Sequence, residues 1–97
     1  MSAGLSALEQ LLAYSEAMLG AAENRDWPAL ARHEADRRAL ADSLPDTLSA
    51  ELPAEEQQRA RALIERSLRC DTLIQPGLAR RMDELRVLLR GAAPAAE

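Results

Sequence analysis

From Ala60 to Leu88 a small or apolar side chain recurs every three or four residues: Ala60, Leu63, Ser67, Cys70, Ile74, Leu78, Met82, Leu85 and Leu88, flanked by Ile64, Leu73 and Leu89. That spacing is the stripe of an amphipathic helix. It also runs through Gln75-Pro76-Gly77 without losing phase. Proline removes a backbone donor and crowds the carbonyl four residues earlier, and glycine adds freedom, so the tripeptide on its own reads as a break. A true turn has no need to preserve the apolar phase. The spacing therefore predicts one helix over residues 54–90, bent at Pro76 and Gly77 and closed by Gly91.

Two shorter helices precede it. Leu5, Leu8, Leu12, Leu19 and Ala22, with Ser15 filling the seam, predict a first helix over residues 4–22. Asp26 is placed to cap a second, over residues 27–44, whose first turn holds Trp27 and Pro28. Its stripe of Trp27, Leu30, Ala31, Ala41 and Leu44 is thin, and the run from His33 to Arg38 reads as a solvated face. The stretch SLPDTLSAEL between Pro45 and Pro53 suits either a loop or a single helical turn. AAPAAE at the end reads as a disordered tail.

The expected fold is all-α: an antiparallel helical hairpin and a long third helix in an up-down-up bundle, one domain over residues 1–91 with a tail over 92–97. Composition agrees, since Ile64, Ile74 and Val87 are the only valine or isoleucine residues and phenylalanine is absent. A chain of 97 residues makes one small domain, too small for a deep substrate cavity. At about 1.5 Å per residue the third helix is about 55 Å long against about 30 Å for each partner. Leu78, Met82, Leu85, Leu88 and Leu89 should then project beyond the hairpin as an apolar ridge, with Arg81 and Arg86 at its rim. Such a ridge points to a protein partner, either a second copy or another protein. In this arrangement Trp27 is expected near the Pro76-Gly77 bend.

Charge and chemistry exclude other classes. All twelve basic residues are arginines, interspersed with sixteen acids for a net charge of -4, and they form no basic face for nucleic acid or anionic lipid. The N-terminus meets Glu9 before any apolar run long enough for a signal or membrane span. Cys70 is the only cysteine, so no intrachain disulfide forms, and the expected compartment is the cytoplasm. His33-Glu34 lacks the second histidine of a helical zinc site, and Cys70 has no base beside it in sequence. No catalytic, metal or cofactor residues are expected, and the chain reads as a binding protein.

A first helix with Ser15, Met18, Leu19 and Ala22, then Asp26-Trp27, Leu30, Glu34 and Arg37, resembles the FliT family of flagellar export chaperones. Arg81, Met82 and Asp83-Glu84-Leu85 resemble the long third helix of that family. The resemblance implies a cytoplasmic chaperone that binds the filament-cap protein, prevents its premature assembly and delivers it to the flagellar type III export apparatus. It further implies contact with the export ATPase complex and, in some members, restraint of the flagellar transcription regulator. Three features depart from the family pattern: His33 at a usually apolar position, the Pro76-Gly77 interruption, and no further helical segment after Gly91. A homodimeric helical adaptor and a chaperone for hook-filament junction proteins are the alternatives.

Overall fold

A computed structural model describes residues 2–92. Its elements are α1 (Ala3–Glu23), α2 (Trp27–Asp42), the single turn α3 (Leu48–Glu51) and α4 (Ala54–Ala92). The expected all-α, up-down-up arrangement is present, with α1 packed against both α2 and α4. The expected tail loses Ala92 to α4, and residues 93–97 lie outside the described residues.

Capping chemistry sets the ends of the hairpin. Ser2 Oγ accepts from the Leu5 amide at 3.1 Å and starts α1. At the other end, the Asp26 amide donates to the Ala21 carbonyl at 2.8 Å and the Arg25 amide to that of Ala22 at 3.1 Å. These crossed bonds form a Schellman motif, which demands a left-handed residue between them. That residue is Arg25, at φ 56°, where glycine or asparagine is the usual choice. Asp26 then caps α2 as its spacing predicted, its Oδ1 accepting from the Ala29 amide at 3.2 Å. Two residues thus end one helix and begin the next.

Cross-helix pairs show that α1 and α4 run parallel. Glu56 accepts from the Ser2 amide at 3.3 Å, Arg59 reaches Glu9 at 3.4 Å, and Arg66 reaches Glu16 at 3.0 Å. Two apolar clusters follow one another along this axis. Leu5, Leu8, Leu12, Leu52, Ala60, Leu63 and Cys70 form the first. Met18, Ala21, Ala22, Ala29, Leu30 and Ile74 form the second, with Trp27 and Leu78 packed against it.

The linker contributes more than a turn. Leu52 is buried, and Leu48 packs beside it. A Cβ on Gly4 would lie 2.9 Å from Leu48 Cδ1 and 3.0 Å from Leu52 Cδ2, so glycine in the first turn of α1 is what admits both leucines. In α2 only Ala29 and Leu30 are buried, and Ala31 and Ala41, expected on its apolar stripe, are exposed. The helix also ends at Asp42 rather than Leu44, with Ser43 as its C-cap donating to the Leu40 carbonyl at 2.6 Å.

Helix α4 is continuous through Pro76 and Gly77 and includes Gly91, which was expected to terminate it. Thr72, whose carbonyl loses its usual donor at Pro76, is exposed, as is the proline. Water can therefore satisfy the orphaned carbonyl, and burial of Ile74 and Leu63 on the opposite side holds the helix in phase. With 39 residues it is about 58 Å long, nearly twice α1.

Candidate partner interface

The ridge is exposed at its tip and anchored at its root. Met82 is 51% exposed, Leu88 63% and Leu89 69%, and Val87, which the heptad-like stripe passes over, is equally bare. Leu85 is half-buried. Leu78 differs from expectation: it packs against the second core cluster, so the free ridge begins one turn later. Arg86 is exposed and pairs with Asp83 at 2.7 Å, whereas Arg81 is half-buried. A shallow groove lies beside the ridge, walled by Arg81, Asp83, Glu84, Val87 and Leu88.

Trp27 lies near Pro76 and Gly77, toward Arg81. Pro76 and Gly77 face the end of α1 at Ala22 and Glu23, while Trp27, like Leu78, packs against the cluster that holds Ile74. Two guanidinium groups approach its ring, Arg81 at 5.7 Å and Arg25 at 6.0 Å from the centroid. Arg25 also donates two hydrogen bonds to Glu84, at 2.8 and 2.7 Å. The left-handed residue at the hairpin corner is therefore tied to α4 where α4 leaves the bundle. Those hydrogen bonds from Arg25 hold the Glu84 carboxyl below its ordinary pKa, outweighing slight desolvation. Arg81, three residues before Glu84 on α4, stays farther from it, at 3.9 Å.

Because α2 and α4 each pack on α1 and scarcely on one another, a trough runs between them. Leu8, Leu11, Ala41, Ile64 and Leu68 line its apolar centre, which holds about 230 Å³. Successive residues of an α-helix turn by about 100°, so Ile64, Leu68, Met82 and Leu89 lie close to whole turns apart and share one side of α4. The trough wall and the ridge form one stripe.

Arg37 crosses the trough. Its Nη1 donates to Ser15 Oγ at 3.0 Å and to Asp71 Oδ1 at 2.7 Å. Ser15 is fully buried beneath it. Arg37 was expected on the solvated face of α2 and instead links three helices. The rest of that run behaves as expected in part, since Arg38 pairs with Glu34 at the surface while His33 is half-buried.

Groups that carry reaction chemistry do not converge. Among the described residues no three His, Cys, Asp or Glu side chains gather as a metal site. Burial pushes the Cys70 thiol above its ordinary pKa, and Glu16 and Asp71 raise it further, so its thiolate is disfavoured. No helix among the described residues is long and apolar enough to cross a membrane. What the geometry offers is an apolar stripe with arginines at its rim.

In comparison with known families, the family model described as flagellar protein FliT matches residues 5–95. No curated protein and no solved structure matches the chain.

Proposed function

The chain belongs to the FliT family of flagellar export chaperones, and we propose that its client is the filament-cap protein, held through an amphipathic helix laid along α4. The observation that carries this reading is the bare overhang of α4: Met82 and Leu89 continue the trough wall at Ile64 and Leu68, and Leu88 stands exposed in phase with the buried stripe of Leu63 and Ile74. Exposed leucines in a series on one helix side cost solubility unless a partner covers them. A client helix with leucines at matching spacing would bury them, and Met82 adapts to its shape.

Covering the client's own assembly segment would keep it monomeric until export. The same chaperone would bring it to the type III export apparatus, with the export ATPase complex as a second contact, and it would act in the cytoplasm. A homodimer formed through the ridge would compete with client, so the two states would exchange. Restraint of flagellar transcription would follow if the regulator used the same stripe.

The test is calorimetry of the filament-cap protein's C-terminal peptide with the wild type and with a Leu85→Asp, Leu88→Asp double variant. Loss of two central apolar anchors should weaken binding by about a hundredfold or more. Unchanged affinity in a variant whose circular dichroism matches the wild type would refute the assignment.

A further inference from the structure

Arg25 is the least expected residue at its position. It occupies a left-handed site that asparagine or glycine would fill without strain. Its guanidinium, with that of Arg81, lies beside the Trp27 ring and shares the single carboxylate of Glu84. Two arginines therefore converge on one acid.

The imbalance extends along the overhang. From Arg80 onward α4 carries Arg80, Arg81, Arg86 and Arg90 against Asp83 and Glu84, a net +2 on a chain whose formal charge is -4. The groove walled by Val87 and Leu88 opens directly onto Arg81 and Glu84. Apolar and cationic surfaces thus meet at one corner. Two copies laid ridge against ridge would set Arg81 and Arg86 of one beside those of the other, a like-charge arrangement that opposes self-pairing.

We infer that this corner is an acid-reading site, formed by Arg25, Arg81 and Trp27, that takes a carboxylate side chain of the partner helix, and that Glu84 is its internal occupant when no partner is bound. The inference rests on the reading of the ridge as the partner surface. It adds direction and selectivity to that surface. A helix whose apolar face covers Leu85 and Leu88, the ridge residues on the Arg81 side of α4, must present an acid at the end seated on the corner, and that acid displaces Glu84 from Arg25. Partners with basic flanks are disfavoured by the net positive charge of the overhang. Because the surface pairs remain wet, the effect is on selection and on association rate more than on total affinity.

The probes are two synthetic amphipathic peptides with one leucine face, flanked by glutamates in one and by lysines in the other, titrated into the whole chain by calorimetry. The glutamate peptide should bind about tenfold or more tightly than the lysine peptide, with the preference shrinking as salt rises. Arg25→Asn keeps the left-handed backbone and removes the guanidinium, and should weaken only the glutamate peptide, by about three- to tenfold. Glu84→Gln removes the internal competitor and should strengthen it by a similar factor. Equal affinity for the two peptides, no binding of either, or an unchanged affinity in Glu84→Gln would overturn the inference. Insensitivity of the cap-protein peptide to Leu85→Asp, Leu88→Asp would instead refute the ridge itself, so the two failures are distinct.

Discussion

Arg37 Nη1 lies 2.7 Å from Asp71 Oδ1, and the bond joins the middle of α2 to the middle of α4 across a trough that the two backbones leave open. The same nitrogen donates to Ser15 Oγ on α1, so one guanidinium holds three helices at one level. Ser15 and Arg37 are both residues through which the chain resembles its family. The structure places them in contact.

Removing that guanidinium should loosen α2. Arg37→Ala leaves the buried Ser15 hydroxyl without its charged partner, and its expected cost is about 1 to 2 kcal/mol by urea denaturation. Part of that cost should fade in high salt, because Arg37 and Asp71 are both partly exposed. No change in midpoint would show that the bridge is only a surface pair.

Core and ridge should respond in opposite ways to the same substitution. Leu63 is 1% exposed, and Leu63→Ala should cost about 2 to 5 kcal/mol through lost burial and the cavity left behind. Leu89 is 69% exposed, and Leu89→Ala should change stability by no more than about 0.5 kcal/mol while weakening partner binding. Thermal melting and calorimetry on the two variants separate these effects.

The corner predicts a pH response with a definite sign. Arg25 depresses the Glu84 pKa below its ordinary value of about 4.5. Its contribution is therefore fully present above that value and disappears as pH falls through the lower, folded-state pKa. Trp27 emission, recorded on acid titration, should show a step below pH 4.5 in the wild type. In Arg25→Asn the step should move up in pH, and in Glu84→Gln it should vanish.

Cys70 should be slow to react. Its thiol is buried on the inner stripe of α4 and its pKa is raised, so alkylation at neutral pH should be at least about tenfold slower in the folded chain than in urea. Equal rates would show that this part of α4 opens freely.

How much of this was legible in the sequence follows from which forces have a period. The three long helices, the Asp26 cap and the passage of α4 through Pro76 were all visible, because apolar phase and capping chemistry act over neighbouring residues. Leu52 was missed as a core residue, since it belongs to no helical stripe and is buried only because Gly4 leaves room for it. Arg25 with Glu84, and Arg37 with Ser15 and Asp71, pair residues far apart in sequence, and local spacing carries no trace of such contacts. Leu78 was assigned to the free ridge because helix lengths fix an overhang only to within about a turn. Val87 was passed over because it lies off the stripe, and its exposure came only from the structure.

The central claim, that a partner helix covers the overhang of α4, is tested most directly by amide hydrogen exchange on the chain with and without the filament-cap protein's C-terminal peptide. Residues 82–91 pack on nothing else along most of their surface and should exchange fast when free. The account predicts strong protection there at saturating peptide, extending back along α4 to the segment that bears Leu68. Protection confined to α1 and α2, with 82–91 exchanging as before, would contradict it.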